Sequence, residues 1–83
     1  MNIQEKVRAL VVEAAPIEVG QVHGAMTLTD DLGYDSLSLL ELMSLLEAEF
    51  SLPPVDGDFR DVRTLQDAED MVRRVLAKSA PVS

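Results

Sequence analysis

Apolar residues recur at helical spacing in three separate stretches of this chain. In the first, Ile3, Val7, Leu10, Val11 and Ala14 form one stripe. Asn2, with Glu5 three residues on, fits a capping arrangement at its start, and Pro16 interrupts the hydrogen-bond ladder at its end. In the second, Leu39, Leu42, Met43, Leu46 and Phe50 share a face, which predicts a helix that begins after Asp35 and runs to about Phe50. Such a helix is roughly 22 Å long, and Pro53-Pro54 ends it. In the third, Leu65, Ala68, Val72, Val75 and Leu76 repeat behind a Thr64/Asp67 capping box. A single helical turn is expected around Asp58–Val62, and Ser79–Ser83 reads as a frayed tail.

Between the first two helices lies a connection from about Ala15 to Asp35, carrying Gly20, Gly24 and Gly33. Twenty-odd residues without strong periodicity are unusual in a compact domain, so the segment is expected to be functional or packed by its own side chains. Val22, Met26, Leu28 and Leu32 are the candidate anchors. Three main helices with one long crossover predict an all-α bundle, and residues 1–83 are read as a single domain.

Composition narrows the core. Tyr34, Phe50 and Phe59 are the only aromatics, so Leu, Val, Ile, Met and Ala must fill it, which suits helices better than sheets. Met26, Met43 and Met71 read as core fillers. There is no cysteine, which excludes disulfides and thiolate metal sites. The polar start Met1-Asn2-Ile3-Gln4-Glu5-Lys6 does not resemble a secretory signal, and no stretch approaches the roughly 20 apolar residues of a membrane span. The expectation is a soluble cytoplasmic monomer.

Charge changes the picture more. The net charge is −8, and between Ala9 and Phe59 there is no Lys or Arg, while ten acids fall there: Glu13, Glu18, Asp30, Asp31, Asp35, Glu41, Glu47, Glu49, Asp56 and Asp58. Such a surface repels nucleic acid and anionic lipid. It either attracts partners with basic patches or only keeps a small domain soluble.

The helix after Asp35 carries more apolar surface than its core stripe needs. Leu37 and Leu40 project away from the stripe, beside Glu41, Ser44, Glu47 and Ala48. Exposed leucines among acids suggest a docking surface, although a loop or the short third helix could cover Leu40. Ahead of them, Gly33 permits a sharp turn and Asp35 is placed to cap the helix. Ser36 then sits at the helix N-terminus, where partial positive charge favours an esterified phosphate. A serine hydrolase fits poorly, because no G-x-S-x-G elbow surrounds Ser36 and the one histidine, His23, lies in the long loop.

Leu32-Gly33-x-Asp35-Ser36-Leu37, then Glu41-Leu42 and Leu46-Glu47-x-Glu49-Phe50, resembles the acyl carrier protein family, and the similarity continues through Val62-Arg63-Thr64 and Asp67-Ala68. The resemblance implies a four-helix fold, three main helices plus one short. It also implies that Ser36 carries 4′-phosphopantetheine, delivered from coenzyme A by a phosphopantetheinyl transferase. Acyl groups would ride as thioesters on the arm, making the protein a carrier and not an enzyme. Asp35, Leu37 and Leu40, with Glu41, Glu47 and Glu49 of an acidic recognition helix, would meet acyltransferase, ketosynthase or acyl-activating partners with basic docking patches.

Ser38, Ser44 and Ala48 stand where fatty-acid carriers usually have an acid, an apolar residue and a third glutamate, and Pro53-Pro54 also departs from them. These departures favour a carrier in a polyketide or other specialised pathway. A fatty-acid carrier, an aminoacyl or peptidyl carrier, and an acidic helical adaptor whose Asp-Ser-Leu is accidental remain the alternatives. His23 reads as an ordinary surface or packing residue. Asp56, Asp58 and Asp61 read as a solvated turn, because the glycine and terminal glutamate of an EF-hand loop are missing.

Overall fold

The computed structural model describes residues 2–79. They form four helices: α1 (Ile3–Ala14), α2 (Ser36–Phe50), α3 (Asp56–Phe59) and α4 (Leu65–Ser79). No strand occurs among the described residues. The only β pairing there is an isolated bridge between Thr27 and Thr64.

The helices start where local chemistry starts them. Asn2 Oδ1 accepts from the Glu5 N–H at 2.8 Å, which supplies one of the orphan donors of α1. At α4 the capping box is reciprocal. Thr64 Oγ1 accepts from the Asp67 N–H at 3.1 Å, and Asp67 Oδ2 accepts from the Thr64 N–H at 3.0 Å. The Thr64 main-chain bond, helped by a second from the Arg63 N–H, holds the Asp67 carboxyl below its usual range. Helix α2 stops at Ser51, which adopts the left-handed conformation at φ 53°, two residues before Pro53-Pro54.

Helix α1 packs on α2 and α4, and α3 lies against α4. The core takes Val7 and Val11 from α1, Leu42 and Leu46 from α2, and Leu65, Ala68, Met71, Val72 and Val75 from α4. Ile3, Leu10, Ala14, Leu39, Met43, Phe50 and Leu76 complete the expected stripes from partly buried positions. Each fully buried Leu or Val contributes about 1.5–3 kcal/mol by leaving water.

The single turn lies at Asp56–Phe59, earlier than the expected Asp58–Val62. The reason is hydrophobic. Val55 and Phe59 are four residues apart and both buried, and the Phe59 N–H donates to the Val55 carbonyl at 2.8 Å. Val62 is partly buried just beyond this turn. The expected frayed tail falls outside the described residues from position 80 on.

The long connection is packed by its own side chains and tied to the start of α4. Leu28 and Leu32 are buried, and Val22 and Met26 pack against the core. The Leu28 N–H donates to the Arg63 carbonyl at 2.9 Å, Leu65 N–H to Met26 at 2.9 Å and Gln66 N–H to Gly24 at 3.0 Å. Main-chain groups that have no helix or sheet of their own are satisfied in this way. Asp31 and Thr27 close a further turn, with Asp31 Oδ2 accepting from the Thr27 N–H at 2.8 Å. His23 is exposed.

One buried charge was not foreseen. Glu69 lies in the core face of α4, its side chain 3% exposed, and Oε2 accepts from Arg8 Nε at 2.8 Å across 61 residues. Arg8 keeps 30% of its side chain in water. The pair ties α1 to α4 where an unpaired carboxylate would be costly.

Candidate functional site

The segment ahead of α2 is clamped to the core before it delivers Ser36 to the surface. Leu32 is fully buried, and Tyr34 is buried with its hydroxyl donating to the Val11 carbonyl of α1. The Tyr34 N–H donates to the Leu28 carbonyl at 2.9 Å. Burial pushes the Tyr34 phenol up to about 12, because the phenolate would have little water around it. Between these anchors, Gly33 adopts φ +76°, and a Cβ there would come within 3.1 Å of the Ile17 side chain. The positive φ therefore favours glycine, and a larger residue there would also push the Ile17 side chain aside.

Asp35 caps α2 through a reciprocal box with Ser38. Its Oδ1 accepts from the Ser38 N–H at 2.9 Å and from the Ser38 hydroxyl at 2.9 Å, while Ser38 Oγ accepts from the Asp35 N–H at 2.8 Å. The main-chain bond from Ser38 leads the effects that hold the Asp35 carboxyl below its ordinary range. Ser38 is 8% exposed. It thus performs the capping task that an acid at this third helical position would perform. Ser36 follows Asp35 as the first residue of α2 and is exposed. The carboxylate next to it is committed to the cap, so it is poorly placed to act as a base toward the Ser36 hydroxyl.

The outer side of α2 is partly apolar. Leu37 is 67% exposed and Leu40 55%, so the described residues leave both largely open to solvent. Leu45, at 40%, joins them, a position that reading the core stripe alone did not single out. Its signal was its place four residues after Glu41 and eight after Leu37, on one row of the helix surface. Leu40, Glu41, Ser44 and Leu45 line one shallow depression. Glu49 is exposed, with Oε2 at 3.8 Å from Lys6 Nζ.

Glu47 departs from the expected outward placement. It is half-buried, and its Oε2 accepts from the Val55 N–H at 3.0 Å. The α2–α3 connection folds back under the helix and presents an unpaired donor there, so Glu47 holds that turn.

A groove of about 320 Å³ opens beside Ser36, between α2 and the segment containing α3. Ser36, Leu39, Leu40 and Met43 form one wall, and Phe59, Arg60, Val62 and Arg63 form the other. The two arginines were the missed members of this site. Their signal was that they end the long run without cations.

The model of the phosphopantetheine attachment site matches residues 5–72, from the first turn of α1 to the middle of α4. The chain belongs to the acyl carrier protein family. It is 32% identical over 74 residues to the acyl carrier protein of Solidesulfovibrio magneticus, covering 89% of this chain and 95% of that one. Among solved structures it is similar to the acyl carrier protein of Thermotoga maritima, at 28% identity and a TM-score of 0.76, over 92% of this chain and 93% of that one. It also resembles the acetyl actinorhodin acyl carrier protein of Streptomyces coelicolor, at 27% identity and a TM-score of 0.72, over 93% of each chain. The protein is accordingly a carrier and not an enzyme, and its cofactor is covalent 4′-phosphopantetheine. Phosphopantetheinyl transferase and acyl-handling enzymes are the partners this carrier family implies. No helix among the described residues is long and apolar enough to cross a membrane. The site fits the cofactor: an exposed serine at a helix N-terminus adjoins a groove lined by apolar side chains and two arginines.

Proposed function

We propose that Ser36 is the attachment site and that the carrier serves a polyketide or other specialised biosynthetic pathway. The single observation behind the first part is the exposed Ser36 at the first position of α2, held there by the Asp35–Ser38 box and opening onto the groove. Ser36 Oγ would lose its proton to the transferase and bond the phosphorus nearest the pantetheine of coenzyme A, with adenosine bisphosphate as the leaving group. The positive end of the α2 dipole then lies beside the new phosphodiester. When bound, the arm supplies a thiol on which acyl groups are carried as thioesters.

Leu37, Leu40, Glu41 and Glu49, with Asp35 at the helix start, make up the proposed docking face. Leu45 extends it. Glu47 contributes chiefly to the turn it holds. Charges of this exposed kind steer basic partners and speed association more than they add affinity. Of the positions that depart from fatty-acid carriers, Ser38 bears on helix capping. Ser44 and Ala48 are both exposed on α2 and bear on partner choice.

Incubation with coenzyme A and a promiscuous phosphopantetheinyl transferase tests the attachment site by intact mass. One phosphopantetheine should be added, and Ser36→Ala should remain unmodified with its helical circular dichroism retained. Modification of that variant would overturn the assignment. For the pathway, acyl transfer by a fatty-acid malonyl transferase should be poor and should improve in Ser44→Met/Ala48→Glu. Wild-type transfer at the rate of a fatty-acid carrier would favour the housekeeping role.

A further inference from the structure

Arg60 and Arg63 are the only cations lining the groove that opens beside Ser36. Arg60 follows the last residue of α3, and Arg63 Nη1 donates to the Arg60 carbonyl at 2.9 Å, which restrains its guanidinium near the groove. The ion pairs among the described residues are Lys6–Glu49, Arg8–Glu69 and Arg73–Asp70, and neither groove arginine belongs to one. Asp67 feels the Arg63 charge, but its carboxylate bonds the main-chain N–H groups of Arg63 and Thr64. In a protein of net charge −8, two arginines lining a groove with Leu40, Met43 and Phe59 favour an anion there.

We propose that Arg60 and Arg63 form an anion-binding rim that holds the phosphodiester of the arm and lays its first segment along the groove. This rests on the attachment of that arm at Ser36. The phosphate would then be one bond from Ser36 Oγ, so its local concentration at the rim is high even though each contact is exposed. Guanidinium matches phosphate oxygens in a two-pronged geometry that an ammonium lacks. The contact weakens with salt, since both partners stay in water. A basic partner surface that engages the phosphodiester would compete with the rim and release the arm.

The test uses the full chain in its phosphopantetheinylated form, with the modification first verified by intact mass. Phosphorus NMR should place the wild-type phosphodiester resonance away from its position in urea-unfolded holo-protein, and added salt should move it toward that position. Arg60→Gln/Arg63→Gln should show the unfolded-like resonance at low salt. Arg60→Lys/Arg63→Lys should lie between the two. The melting temperature should rise on modification in wild type by more than in the glutamine variant. Circular dichroism of the unmodified variants checks that the fold is kept. Among the described residues the Arg60 side chain makes no hydrogen bond, so Arg60→Gln alone provides a second reading should the double variant unfold. A chain that accepts no phosphopantetheine refutes the attachment at Ser36. A chain that accepts it with the same phosphorus resonance and the same melting increment in every variant overturns the rim.

Discussion

Alkaline pH should destabilise this protein through one side chain. Tyr34 is 3% exposed, its hydroxyl donates to the Val11 carbonyl, and burial raises its pKa from 10.0 to about 12. A group whose folded pKa lies above its unfolded value contributes stability that is fully present below the unfolded pKa. That stability is lost as pH rises through the folded one. The window is therefore pH 10 to about 12. Each pKa unit corresponds to about 1.36 kcal/mol, so the full loss is on the order of 2–3 kcal/mol. For a domain this size, whose total stability is of the order of 5 kcal/mol, such a loss removes about half of it, which urea melts resolve although most molecules stay folded. Tyr34 is the only tyrosine and there is no cysteine, so the tyrosinate absorbance reports this one group. Urea melts of the unmodified protein at intervals from neutral pH upward give the stability curve. Tyr34→Phe sets the reference. It should cost about 1 kcal/mol at neutral pH by removing the bond to Val11, and its curve should be flatter above pH 10. Equal alkaline losses in wild type and Tyr34→Phe would refute the reasoning, as would tyrosinate forming at pH 10 while the helices persist.

Three other perturbations test side-chain and backbone roles that the sequence alone does not assign. Glu47→Lys should cost about 1–2 kcal/mol in urea melts, because it leaves the Val55 N–H without its acceptor, whereas Glu41→Lys should be nearly neutral. Equal effects of the two would remove the structural role of Glu47. Ser51→Gly should stabilise by about 0.5–1 kcal/mol by relieving the left-handed backbone at φ 53°, and an unchanged or lowered urea midpoint would count against it. Arg8→Met should cost about 3–5 kcal/mol, since it strands the buried Glu69 carboxylate. Glu69→Gln should cost less, because Arg8 can still reach water, and the reverse order would show that the pair is not what ties α1 to α4.

The proposed site divides between contacts near in the chain and contacts distant in it. Asp35, Ser36 and Leu37 could be read as a helix start because a cap and its partner are three residues apart. The leucines could be read as surplus because a helix face admits only one core stripe. Nothing along the chain says where a half-buried glutamate points, and Glu47 and Glu41 look alike until Val55 is brought against one of them. Nor does spacing place Arg60 and Arg63 across a groove from Ser36, some two dozen residues earlier.

By itself, the sequence determined the all-α class, the starts of α1, α2 and α4 and the stop of α2 to within a residue. Those features depend on 3.6-residue periodicity and on hydrogen bonds that span three or four residues. Tertiary structure decided the rest. It moved the single turn of α3 onto the Val55–Phe59 anchor and stitched the long connection to the start of α4. It placed Glu69 against Arg8 and Tyr34 against Val11, at separations of 61 and 23 residues. Such contacts form only when helices meet in one particular packing. A single chain's periodicity shows which face a helix buries and leaves open which neighbour that face will find.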